Sequence, residues 1–145
     1  MMEPIRVLFV CVENACRSQM AEAFARRDGG NRLVAVSAGS RPRGSVDAQA
    51  IAVMQEKGCD LRGHASKGLS QLSQQTWDVV VSMGCGEDCA VIPATTHVSW
   101  QIPDPARQPI EVYRQVRDAI EEEVKALIAR VTHRNVAAQH FFKSA

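Results

Sequence analysis

This 145-residue sequence has little of three things: charge of one sign in excess, long apolar runs and signal-peptide character at its start. The formal net charge is +1, which gives no general reason to expect nucleic acid or an anionic membrane as partner. No apolar stretch approaches the roughly 18 residues that a membrane-spanning helix needs. The opening Met1-Met2-Glu3-Pro4-Ile5-Arg6 has neither the basic region nor the apolar stretch of a signal peptide, so the cytosol is the default location. Metal-ligand spacing is missing too. The five cysteines stand at 11, 16, 59, 85 and 89, and no pair has the C-x-x-C spacing of structural zinc. His64, His97, His133 and His140 show no ligand-like interval either, so no metal site is expected. In a reducing compartment the cysteines are not a static disulfide framework, which leaves nucleophilic or redox use.

What is present is an alternation of strands and helices. Ile5-Arg6-Val7-Leu8-Phe9-Val10 is nearly continuous in apolar residues, as in a strand buried on both faces of a parallel sheet. A polar loop follows, then a helix with Met20, Ala21, Phe24 and Ala25 on one face, closed by Gly29-Gly30-Asn31. A second strand is expected over 33–38, a helix N-capped by Asp47 and ending at Gly58, and a short helix near 69–75. A third strand is expected over 78–83 and a weaker fourth over 97–100. Beyond Pro109, Val116, Ile120, Val124, Leu127, Ile128 and Val131 recur at spacings of three and four and mark the strongest helix. The class is therefore α/β: a single-domain three-layer sandwich, its four-stranded parallel sheet flanked by helices and joined by right-handed crossovers. Residues 1–131 form the catalytic domain, and 132–145 are a helix extension or tail.

The chemistry concentrates where strand one gives way to helix one, in Cys11-Val12-Glu13-Asn14-Ala15-Cys16-Arg17-Ser18. Ligands bind at the carboxyl ends of strands in such sheets, and loop amides with a helix N-terminus make an anion site. Arg17 adds a planar fork suited to two oxyanion oxygens. Together these favour the thiolate of Cys11 as a nucleophile, and Ser18 can donate a hydrogen bond to it. Asn14 is read as pinning the loop through side-chain-to-backbone bonds. Asp104, between two prolines after the fourth strand, is either a turn former or the acid that protonates a departing oxygen.

The run Val10-Cys11, Asn14-Ala15-Cys16-Arg17-Ser18-Gln19-Met20-Ala21-Glu22 resembles the active-site signature of the low-molecular-weight protein tyrosine phosphatase fold. It is most like the arsenate reductases built on that scaffold, and the likeness continues through Ser37-Ala38-Gly39, Asp78-Val79-Val80-Val81, Asp104-Pro105 and Arg117-Asp118. The resemblance implies that Val12, Glu13, Asn14, Ala15, Cys16 and Arg17 cradle the oxyanion, with phosphate or sulfate as mimics of arsenate. It implies Asp104 as the acid and Cys16 as structural packing with a protective redox role. Glu13 departs from the pattern, since many members have glycine there.

Phosphatase and reductase share a first step and then divide: a reductase needs further thiols. Met83-Gly84-Cys85-Gly86-Glu87-Asp88-Cys89 supplies two just past strand three, with glycines flanking Cys85. The resemblance thus implies arsenate reduction to arsenite, with Cys11, then Cys85, then Cys89 in a thiol–disulfide relay. No bound cofactor is expected. The external reductant is thioredoxin in the first instance, otherwise a low-molecular-weight thiol with a glutaredoxin-like partner. The alternative is a phosphatase hydrolysing phosphate monoesters, but Ala106-Arg107 stands where aromatics would line a phosphotyrosine slot, and Tyr113 is the lone tyrosine. Some relatives bind potassium at positions corresponding to Asn14, Glu22, Ser37 and an acidic residue. Lys67 takes the acidic place, so its ammonium is expected to replace the ion and no potassium dependence to follow.

Overall fold

In the computed structural model, residues 3–72, 75–84 and 92–144 are described, with side chains through 132. Four parallel strands, β1 (Ile5–Cys11), β2 (Leu33–Gly39), β3 (Trp77–Ser82) and β4 (Ala94–Ser99), form one sheet in the order β2-β1-β3-β4. Leaving β1, the chain crosses to β2 on one side, and leaving β2 it returns over β1 to β3 on the other. The carboxyl end of β1 is therefore the topological switch point, where this class of sheet opens a crevice.

The apolar run of β1 reflects burial on both faces. Val7 and Phe9 join the larger core with α1 (Arg17–Gly29), α2 (Ala48–Gln55) and α3 (Ile110–Ser144). Leu8 and Val10 point the other way, packing with Val80, Ala38, Leu69 and Leu72. The face of α1 anticipated from sequence, with Met20, Ala21, Phe24 and Ala25, is fully buried. Along α3, Val116, Ile120, Val124, Leu127, Ile128 and Val131 are buried at the spacings that marked it.

The helix N-capped by Asp47 is α2, and the Asp47 side chain accepts from the Gln49 amide at 2.9 Å. It ends earlier than Gly58, which instead takes φ +77 in a glycine cap: Cys59 N–H donates to Met54 O and Gly58 N–H to Gln55 O. Glu56, at that end, bonds Arg114 and Arg117 of α3, and these guanidiniums hold its carboxyl down at about 2.

Two expectations shift in detail. The short helix near 69–75 is a 3₁₀ turn, Leu69–Leu72. The fourth strand is longer than expected and begins at Ala94; as an edge strand it alternates half-buried and exposed residues, which diluted its apolar signal. The last helix runs without a break across 131–132 to Ser144.

Candidate functional site

The segment from Cys11 to Arg17 leaves β1 at the switch point and enters α1. Its shape is set from outside by hydrogen bonds to its carbonyls. Ser40 N–H donates to Cys11 O, Arg41 N–H to Val12 O, Arg43 N–H to Glu13 O and Asp47 N–H to Ala15 O, at 2.7–3.3 Å. Ser66 Oγ adds a 2.6 Å bond to Glu13 O. A planar peptide whose carbonyl is tied outward turns its N–H the other way, so the loop presents amides inward. Gly39 is required for this fit: a Cβ there would stand 2.6 Å from Val12 O and 2.8 Å from Asn14 N. The N-terminus of α1 has no side-chain cap and no acidic residue in its first turn, so its amides remain available to an anion.

Asn14 holds the loop from inside. Its φ is +51, a left-handed position that asparagine tolerates better than most residues, and it is fully buried. Its Oδ1 accepts from the Lys67 amide at 2.7 Å and from Gln19 Nε2 at 2.9 Å. Because a backbone N–H can only donate, these bonds fix which end of the amide is oxygen. Asn14 Nδ2 therefore donates to Ser18 Oγ, at 2.7 Å. Ser18 Oγ lies 2.9 Å from Cys11 Sγ, and with its oxygen already accepting, its hydroxyl proton is free to point at the sulfur. The chain runs Asn14 to Ser18 to Cys11, with each donor directed toward the sulfur.

Arg17 is the keystone. Its side chain is only 8% exposed. Nη1 donates to Ile102 O at 3.0 Å, and Nη2 stands 3.8 Å from Asp104 Oδ2. Asp104 is half-exposed, and its Oδ1 accepts from the Ala106 amide, an Asx turn that aims the loop. A small pocket is lined by Cys11, Ala15, Cys16, Arg17 and Asp104 together, so it brings a thiol, a guanidinium and a carboxylate to one cavity. Cys16 shares that pocket, but burial, then the negative charges of Asp47, Cys11 and Asp104, push its thiol well above the ordinary range. It stays a neutral packing thiol. Val12 and Glu13 sit half-buried on the rim.

Gly84 closes the other side of Arg17. It takes φ +83, and a Cβ on it would stand 2.9 Å from Arg17 Nη1. Gly84→Ala should therefore strain the backbone and displace the guanidinium, lowering kcat/KM by about 10²-fold, the scale of a 1 Å misplacement. The thermal midpoint should fall only modestly; unchanged kinetics would show that Arg17 does not depend on Gly84. Cys85, the next residue in the chain, and Cys89 lie outside the described residues.

Behind the loop, Glu22 is almost fully buried on α1. Its Oε1 and the Ser37 hydroxyl are buried side-chain polar atoms with no hydrogen-bond partner among the described residues. Lys67 Nζ stands 3.9 Å from Glu22 Oε1, Arg26 Nη1 3.4 Å from Oε2, and His64 Nδ1 4.0 Å from Oε2. A potassium ion beside these oxygens would face the Lys67 ammonium, so the residues fit a lysine counter-charge better than an added cation.

The sequence shows no role in the site for segment 40–46, and marks Asp47 only as a helix N-cap. This segment supplies the amides that shape the anion loop, and Asp47 contributes its carboxylate to the site as well as its cap. Tyr113 on α3 donates to Asp47 Oδ2 at 2.6 Å, and burial and that carboxylate push the phenol above its ordinary range. No periodicity marks such a segment, and only Asp47 carried a signal.

The family model for low molecular weight phosphotyrosine protein phosphatase matches residues 6–137. A glutaredoxin arsenate reductase from Synechocystis sp. is 38% identical over 130 residues, 88% of this chain and 98% of that protein. A solved arsenate reductase in the phosphate binding state superposes with a TM-score of 0.78 at 37% identity, covering 87% of this chain and 98% of the other. A tyrosine phosphatase from Escherichia coli K30 in complex with sulphate superposes with a TM-score of 0.76 at 27% identity, covering 90% and 99%.

Proposed function

Because this chain belongs to the low molecular weight phosphotyrosine protein phosphatase family, we propose that it uses the family's thiolate chemistry to reduce arsenate to arsenite. Arsenate binds with its oxygens on the loop amides and the Arg17 fork. Cys11 Sγ attacks arsenic, and Asp104 protonates the departing oxygen. The thiol adduct is then opened by sulfur rather than water: Cys85 attacks Cys11 Sγ, arsenite leaves with the electron pair, and Cys89 resolves the Cys11–Cys85 bond to leave Cys85–Cys89. Arsenic gains two electrons, and two thiols become one disulfide.

What carries the reductase over the phosphatase is the pair of thiols in the sequence, Cys85 and Cys89, following directly on Gly84. The 38% identical relative named for arsenate reduction supports the same reading. That relative is also named for glutaredoxin, which favours a low-molecular-weight thiol with a glutaredoxin-like partner over thioredoxin as reductant. The reading is tested by supplying arsenate and an aryl phosphate side by side with excess thiol. Arsenite release should dominate, with aryl phosphate hydrolysis as a slow residue of the shared first step. Brisk hydrolysis without arsenite would make the protein a phosphatase.

Lys67 beside buried Glu22 yields a second expectation. Turnover and thermal midpoint should be the same in potassium and sodium salts at equal ionic strength, and a rise specific to potassium would contradict the lysine as counter-charge.

A further inference from the structure

Beside the oxyanion pocket lies a larger groove of about 540 Å³, whose charged lining is Glu13, Arg41, Arg43, Asp47 and Arg107. The two cavities share Glu13, Arg43, Asp47 and Ala106, so they form one continuous cleft with Cys11 in its inner part. Among the described residues, no aromatic side chain lines either part.

The charges in the groove divide into those already matched and those not. Asp47 is committed: it accepts from Gln49 N–H and Tyr113 OH, and Arg43 Nη1 stands 3.8 Å away. Arg41, Arg107 and Glu13 have no ion-pair partner among the described residues, and both arginines are exposed. Arg107 is one of two non-glycine residues with positive φ among those described, at +65; the other, Asn14, serves the anion loop. The unmatched set is thus two guanidiniums and one carboxylate around a groove that ends at a nucleophilic cysteine. Its complement carries two carboxylates and one ammonium.

We propose that this groove binds a small zwitterionic peptide thiol, its carboxylates on Arg41 and Arg107 and its ammonium on Glu13, with its sulfur directed at Cys11. The proposal rests on the reductase reading, because only that reaction consumes thiol. In the arsenylated enzyme the bound thiolate attacks Cys11 Sγ. A sulfur–sulfur bond forms, the sulfur–arsenic bond breaks, and the electron pair stays on arsenic, which leaves as arsenite. Arsenic is reduced by two electrons, and the two sulfurs are oxidised to a mixed disulfide. A second molecule of the thiol attacks the peptide-thiol sulfur, departs with it as the symmetric disulfide and returns Cys11 as thiolate. This route runs parallel to the one through Cys85. It also gives Glu13 a purpose where many members of the family have glycine: it reads the ligand's ammonium at the rim.

The test compares glutathione with the uncharged 2-mercaptoethanol as sole reductant, in the wild-type chain and in Arg41→Gln and Arg107→Gln. Each substitution removes one charge-assisted contact, so the ratio of kcat/KM for glutathione to that for 2-mercaptoethanol should fall by about tenfold. S-methylglutathione, which cannot react, should bind the wild-type chain in calorimetry and bind each variant about tenfold more weakly. A ratio that does not move, or absent S-methylglutathione binding to the wild type, would overturn the proposal. If no thiol supports arsenite formation, the reductase reading fails instead. The groove is then judged by calorimetry alone, where weaker binding to the variants upholds it and equal binding overturns it.

Discussion

Cys11→Ser should abolish arsenite formation, with a loss of about 10⁴-fold or more, as expected when the nucleophile of a covalent mechanism is replaced. A hydroxyl at this position is protonated at neutral pH and cannot enter a disulfide, so both the first displacement and the electron transfer stop. The scaffold should survive. Serine is smaller than cysteine, Ser18 Oγ remains within hydrogen-bonding range of position 11, and the loop carbonyls keep their ties to residues 40–47. Phosphate should still bind the variant, since Arg17 and the loop amides are untouched. Loss of turnover with phosphate binding retained is therefore the expected pair of results. If the variant kept a substantial share of the wild-type rate, Cys11 would not be the nucleophile.

Asp104→Asn should slow the first displacement by about 10²–10³-fold, the usual worth of a positioned general acid. The substitution is nearly isosteric, and the amide oxygen can still accept from Ala106 N–H, so the Asx turn is kept. Stability should change by no more than about 1 kcal/mol, because the Arg17–Asp104 pair spans 3.8 Å with Asp104 half-exposed. Leaving-group dependence isolates the role. An aryl phosphate, whose leaving oxygen needs little protonation, should lose far less rate than arsenate or an alkyl phosphate. Equal losses on all of them would make Asp104 a loop-shaping residue rather than the acid.

How much of this was legible beforehand follows from where the signals lie. A strand buried on both faces, as β1 is, writes itself as a continuous apolar run, and α3 writes itself as three- and four-residue spacing, so both were found. The loop from Cys11 to Ser18 stood out because a cysteine, an arginine and a serine between such elements have few other uses. The edge strand β4 was underestimated because half its residues face outward. Arg41, Arg43, Asp47 and Ser66 were not seen as part of the site because most act through backbone groups or through tertiary proximity, and neither leaves a pattern in sequence. Tyr113 was noted for its rarity, but its bond to Asp47 joins positions 66 residues apart and depends on how α3 packs. Gly84 was marked only as a glycine flanking Cys85, whereas its positive φ and close approach to Arg17 give it a steric reason to be glycine.

The most direct test of the central claim is a single turnover of arsenate with no external thiol, followed by mapping of disulfides in the full chain. The relay predicts one equivalent of arsenite and a Cys85–Cys89 bond, with Cys11, Cys16 and Cys59 reduced. No arsenite and five reduced cysteines would contradict it.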